Sequence, residues 1–135
     1  MVFFLNFACV MKHQDYVTDA IDLLCALINT PSVSREEKDA ADLMEQRMKS
    51  YGLAPHREAN NLWLMVDGYD EQKPTLLLNA HIDTVKPAIS WTRDPFRASV
   101  EDDRIYGLGS NDCGGGLTTL LQVFRFLSLR PQPYN

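Results

Sequence analysis

The segment Thr75-Leu76-Leu77-Leu78-Asn79-Ala80-His81-Ile82-Asp83-Thr84-Val85 joins an apolar run to two titratable side chains. Residues 75–79 are strand-compatible and show no polar alternation, so they read as a strand buried on both faces. In extended backbone, residues two apart project to one face, which points His81 and Asp83 the same way. A histidine that binds a metal through one ring nitrogen commonly donates its other N–H to a carboxylate. His-x-Asp at a strand end can supply that pair, a ligand and the group that orients it. A lone histidine at a strand end is more often a structural residue, so the motif needs company before it carries a metal site.

Upstream, Val17, Ile21, Leu24 and Ile28 recur at helical spacing, with Ala20, Leu23 and Leu27 widening the stripe. The spacing predicts a helix over 15–28, stopped by Pro31, because the residue before a proline disfavours the helical region. Ser34-Arg35-Glu36-Glu37 has the S-x-x-E pattern of a capping box. It predicts a second helix with Ala40, Ala41, Met44, Met48 and Tyr51 on one side, closed by Gly52. Residues 62–66 read as another strand, separated from 75–79 by turn residues Asp67-Gly68-Tyr69-Asp70 and Lys73-Pro74. Two more strands, 97–100 and 104–106, flank the acidic turn Glu101-Asp102-Asp103. A last helix is predicted over 116–129, through Leu120, Leu121, Phe124 and Leu127, ended by Arg130-Pro131-Gln132-Pro133. Interleaved helices and strands place the chain in the α/β class.

Composition limits the partners. A chain of 135 residues suffices for one domain with a core, and a 45% apolar and 23% charged content is ordinary for a globular protein. The net charge of −5 argues against nucleic acid. Nothing approaches the run of about 20 apolar residues needed to span a bilayer, so no membrane is expected. Cys9, Cys25 and Cys113 show no paired spacing and read as reduced thiols, which points to the cytoplasm. The first ten residues, MVFFLNFACV, lack the basic lead of a signal peptide. Residues 1–14 are read as an N-terminal extension whose first ten residues lie outside the functional fold. A mature N-terminus at Cys9 bearing a lipid mass would overturn both that reading and the cytoplasmic one.

The second chemical cluster is Tyr106-Gly107-Leu108-Gly109-Ser110-Asn111-Asp112-Cys113-Gly114-Gly115-Gly116, with five glycines before a helical pattern. A dinucleotide-type phosphate cradle would need a third glycine where Asp112 stands, and a carboxylate there repels phosphate. The alternatives are a surface loop with a solvated aspartate, or a tight turn that presents Asp112 into a cleft. One carboxylate can bridge two divalent ions in a two-metal hydrolase. Cys113 as a nucleophile lacks a further histidine partner and reads as a small packed residue.

Together, His81-Ile82-Asp83-Thr84-Val85, Trp91, Asp94-Pro95-Phe96 and Ile105-Tyr106-Gly107-x-Gly109-x-x-Asp112-x-Gly114-Gly115 resemble the M20 family of metallopeptidases and deacylases. The family includes acetylornithine deacetylase, succinyl-diaminopimelate desuccinylase, aminoacylase and carboxypeptidase relatives. The resemblance runs from about Tyr16 to Leu129 and covers the first third of a usual member. It implies the N-terminal part of a zinc-peptidase-like three-layer α/β catalytic domain, truncated, with residues 15–135 as a partial catalytic domain. It implies two divalent metal ions, zinc or cobalt, with His81 and Asp112 as metal ligands and Asp112 bridging the two ions. Asp83 enters the catalytic machinery as the group that orients His81. The Asp112-Cys113 peptide bond corresponds to one that is typically cis in the family. Leu108 and Gly114 depart from it, standing where many members have arginine and lysine; neither would be a ligand.

The implied activity is metal-dependent hydrolysis of the amide bond of an N-acylated amino acid, most like acetylornithine deacetylase of arginine biosynthesis. A succinyl-diaminopimelate desuccinylase or a dipeptidase is the alternative. The expected substrate is a small N-acyl amino acid or short peptide. The family also needs a glutamate pair, a further acidic ligand and a late histidine that do not follow here. The chain alone is therefore expected to be an inactive fragment, with homodimerisation reserved for the intact protein. A reading of another class is a non-catalytic interaction module descended from the enzyme, its exposed edges covered by a partner.

Overall fold

A computed structural model describes residues 12–135. The predicted extension falls mostly outside the described residues, and Cys9 with it. The helix expected from residue 15 begins two residues earlier, as α1 (His13–Ile28). Its start is held by Asp15, whose carboxylate accepts the Lys12 backbone N–H at 2.7 Å. Leu23, Leu24, Ile28 and Tyr16 are the side chains it buries. Val17 and Ile21, expected on that face, are exposed, so the apolar arc of α1 is wider than its contact with the core.

The second helix is α2 (Lys38–Ser50), which buries Ala40, Ala41, Met44 and Met48. Gly52 ends it with φ +77°, a conformation open to glycine at no steric cost, and its N–H donates to the Lys49 carbonyl at 2.9 Å. The capping-box reading of the other end needs correction. Ser34 makes no cap, and α2 starts four residues after it. Glu37 instead accepts the backbone N–H of Arg35, and Ser34 is drawn elsewhere.

Strands are sparser than the sequence suggests. β1 (His56–Glu58), not anticipated, pairs antiparallel with β2 (Asn61–Trp63), in register Arg57 with Leu62. β3 (Ser99–Glu101) pairs with β4 (Arg104–Tyr106), Val100 opposite Ile105. The Asp102-Asp103 turn has φ of 48° and 60°, the double positive φ whose twist suits a two-residue hairpin. These two small sheets are the sheet structure of the described residues. The expected strand at 75–79 joins neither. Leu76 donates to the Asn135 carbonyl at 2.9 Å, while Leu77 is 80% exposed. A non-alternating apolar run becomes a doubly buried strand only when ladders flank it, and the described residues supply none.

The core is the cluster Leu23, Met44, Met48 and Leu121, with Leu27, Leu62, Ile82 and Leu117 packed around it. Leu121 belongs to α3 (Gly115–Ser128). The buried face of α3 is Thr118, Leu121, Gln122 and Arg125 rather than the wholly apolar row expected. Arg125 is tolerated there because its guanidinium donates to Asp19 of α1 at 2.7 Å and lies 3.5 Å over the Tyr51 ring. The arrangement remains a mixed α/β one, with α1 and α3 packed together and α2 closing the core.

Outside the core, Arg57 reaches both Asp42 and Glu45 at 2.7 Å. Lys38 first and then Arg57 hold the Asp42 carboxyl below its ordinary range; Lys49 and then Arg57 do the same for Glu45. Groups depressed in the folded state add stability above their unfolded pKa values and lose it as pH falls through the folded ones. Acidification from neutrality toward about pH 3 should therefore lower the urea midpoint, and Arg57→Gln should lessen that loss. An equal loss in the Arg57→Gln chain would remove the cluster as its source.

Candidate metal centre

The segment that carries His81 is pinned on one side by residues 32–34. Val33 and Thr84 form a parallel bridge. Ser34 N–H donates to the Thr84 carbonyl at 3.0 Å, and Thr84 N–H to the Ser32 carbonyl at 2.8 Å. The Ser32 hydroxyl donates to the Ile82 carbonyl at 2.9 Å. The Ser34 hydroxyl donates to Asp83 Oδ2 at 2.5 Å. On the other side lies the glycine-rich turn. Gly109 sits at φ +78°, where an added Cβ would come within 2.7 Å of Thr84 Cγ2. At Gly114 an added Cβ would lie 2.6 Å from the Gly109 carbonyl oxygen. That carbonyl accepts the Gly114 N–H at 2.8 Å, closing the turn over residues 110–114. Within it Asp112 and Cys113 leave helical geometry, and the peptide bond between them is cis. Any side chain at 114 would meet that carbonyl, so the turn closes more tightly than a Cβ there allows.

A Gly109→Ala chain should lose about 1–3 kcal/mol, from left-handed strain together with the contact to Thr84. Urea denaturation measures it; an unchanged midpoint would mean that the turn relaxes freely.

The two segments meet at His81. Its Nδ1 lies 3.1 Å from both the backbone carbonyl and Oδ1 of Asp83. Its Nε2 lies 3.1 Å from Asp112 Oδ1. Cys113 Sγ donates to the His81 carbonyl at 3.1 Å. Donor atoms of His81, Asp112 and Cys113 fall within 4.8 Å of one another. Partial desolvation pulls the His81 pKa down. The hydrogen bonds to the Asp83 carbonyl and to Asp112, with the two carboxylate charges, outweigh it and hold the pKa above its ordinary value. Asp83 is held below the usual carboxylate range, chiefly by the Ser34 hydroxyl and also by His81, against a smaller desolvation. The cavity behind the ring is about 20 Å³, room for one water. A substrate would have to approach from the open side, where the Asp112 side chain is 87% exposed.

The residues singled out in the sequence thus come together: His81 beside Asp83, and its far nitrogen facing Asp112 across 31 positions of chain. Ser34 was missed. Its contact with Asp83 spans 49 positions, and no local signal distinguishes it from a helix cap. Cys113, read as packing, stands at the same centre.

An imidazole held between two carboxylates, on a mixed α/β frame beside a glycine-rich turn, is the kind of donor arrangement that metallohydrolases use. Residues 77–133 match the family described as Peptidase family M20/M25/M40, which supports an M20 metallopeptidase or deacylase. That family is one of metallo-amidohydrolases. The chain is 34% identical over 127 residues to the succinyl-diaminopimelate desuccinylase of Blochmanniella floridana, covering 88% of this chain and 33% of the relative. It is 28% identical over 123 residues to the same-named protein of Xylella fastidiosa, covering 86% and 32%. For Beijerinckia indica the identity is 32% over 109 residues, covering 73% and 28%. The chain therefore spans about a third of the length of the curated relatives it matches. The expectation of an acetylornithine deacetylase finds no support among these relatives, which carry the desuccinylase name. No helix among the described residues is long and apolar enough to cross a membrane.

Proposed function

We propose that this segment supplies His81 and Asp112 as metal ligands, and Asp83 as the orienting carboxylate, of a hydrolase that cleaves the amide bond of an N-succinylated amino acid. The observation that carries the reading is the 3.1 Å approach of His81 Nε2 to Asp112 Oδ1, with Nδ1 already engaged by Asp83. The acceptors on Nδ1 hold a proton on that nitrogen, so a divalent ion taken up between Nε2 and Asp112 would displace only the Nε2 proton and meet its lone pair. That tautomer suits a ligand, and an exposed carboxylate beside it supplies the charge a divalent ion needs. Zinc, or cobalt in its place, held by these groups would polarise the scissile carbonyl as a Lewis acid. The succinyl group is proposed on the names of the relatives; a dipeptidase and an acyl-group-independent deacylase are less favoured by them. Hydrolysis would draw on further ligands and a general base beyond these residues, so turnover is assigned to a polypeptide of the relatives' length.

The test is a cobalt titration followed by visible absorption and by NMR of the ring of His81. Cobalt should perturb His81, and Asp112→Asn should weaken binding roughly tenfold or more. Binding that leaves His81 untouched, or that Asp112→Asn does not alter, would sink the reading. In the cobalt-loaded chain an N-succinyl amino acid should shift the His81 signals at lower concentration than its N-acetyl analogue. The reverse order would remove the succinyl assignment.

A further inference from the structure

We infer that Ser34 is a positioning residue for this centre: it fixes the Asp83 carboxylate, and through it the orientation of the His81 ring. The inference rests on the proposed metal reading for its purpose, though not for its geometry. Three observations carry it. The first is the bond itself, Ser34 Oγ to Asp83 Oδ2 at 2.5 Å. The Thr84 carbonyl also lies near that hydroxyl, at 3.4 Å. A hydroxyl has one proton to give, and the short, charge-assisted contact takes it.

The second is the division of labour on Asp83. Oδ2 accepts from Ser34, while Oδ1 lies 3.1 Å from His81 Nδ1. The Nδ1 hydrogen bond goes to the Asp83 backbone carbonyl, so Ser34 supplies the hydrogen bond that sets the carboxylate plane, with the ring lying beside Oδ1. Remove that donor and the terminal torsion of an aspartate, which is broad and roughly two-fold, is free to turn. The third is that Ser34 cannot drift from its partner. Its own N–H is bonded to the Thr84 carbonyl at 3.0 Å, and its neighbour Val33 bridges to Thr84. The serine is thus built into the backbone pairing that carries Asp83. Ser32 makes the useful contrast, since its hydroxyl bonds the Ile82 carbonyl and touches no group of the centre.

The experiment uses the 135-residue chain with Ser34→Ala, Ser34→Thr and Ser32→Ala. Ring nitrogen shifts of His81 are recorded at alkaline pH, where the imidazole is neutral, and cobalt affinity is measured by calorimetry. The unaltered chain should show mainly the Nδ1–H tautomer. Ser34→Ala should move it toward a mixture with Nε2–H and weaken cobalt binding roughly tenfold, the low end for groups behind a ligand. Ser34→Thr keeps the hydroxyl and should restore both readouts, whereas Ser32→Ala should leave the tautomer in place. If Ser34→Ala does not fold, Ser34→Cys carries the test, since a thiol is only somewhat larger than the hydroxyl and donates weakly. A tautomer and affinity unchanged by loss of the hydroxyl would overturn the inference, as would an Nε2–H ring in the unaltered chain or a threonine variant that behaves like alanine. A tautomer that responds to Ser34 in a chain that binds no cobalt would uphold the positioning and reject the metal reading.

Discussion

With His81 replaced by alanine, the 135-residue chain is expected to lose at least about a hundredfold in affinity for zinc or cobalt. Changing a group that merely supports a ligand typically costs 10–100-fold, so removing the ligand sets the upper end as a floor. Among the described residues, His81, Asp112 and Cys113 are the donors that converge, and His81 is the one that faces a second donor at 3.1 Å. Even the unaltered chain should bind weakly, because stable zinc sites use three or four protein ligands. It should also fail to hydrolyse N-acyl amino acids. Asp83 is committed to Ser34 and the His81 ring, and Asp112, proposed as a metal ligand, would be taken up by the ion, so neither is assigned as general base. Calorimetry with the metal alone, and an amine-release assay with excess zinc, measure the two parts. Metal-dependent turnover lost in His81→Ala would contradict the second, and an affinity indifferent to His81 would contradict the first.

The largest effect on stability is expected at Met44. Its side chain is 1% exposed and sits among Leu23, Met48 and Leu121 at the junction of the three helices. Truncation to alanine removes three heavy atoms from packed surroundings that can close only in part, and should cost about 2–5 kcal/mol. Against a total of about 5–15 kcal/mol for a domain, that is a large fraction. Met44→Leu nearly conserves volume and should cost less than about 1.5 kcal/mol. Denaturant melts of both variants decide the matter; a loss below about 1 kcal/mol for the alanine would show that this cluster is not the core.

The two predictions draw on different parts of the sequence. Met44 was legible from periodicity, because Ala40, Ala41, Met44 and Met48 recur on one side of a helix and are the residues that α2 buries. His81 and Asp83 were legible because a spacing of two in extended chain gives one direction, and their side chains do meet. The acidic hairpin turn after Val100 was legible from its residues, although β3 starts two positions later than expected. Pattern did not reveal the β1–β2 hairpin, whose turn at Ala59-Asn60 has φ +52° at an alanine, a residue that gives no turn signal. It also misjudged residues 75–79, since apolar composition reports what a segment can bury and not what lies beside it.

By itself, the sequence determined the helices, their approximate ends, the mixed α/β class and the shared direction of His81 and Asp83, because each follows from local spacing, whereas Asp112 was singled out by the family resemblance. Only the tertiary structure decided that Ser34 bonds Asp83 instead of capping a helix, and that α3 buries Arg125 against Asp19 and Tyr51. It alone brought Asp112 to the far nitrogen of His81. Each of these depends on a partner between 31 and 106 positions away. A hydroxyl or a guanidinium goes to whichever strong acceptor the fold brings within about 3 Å, and no local pattern encodes which one that will be.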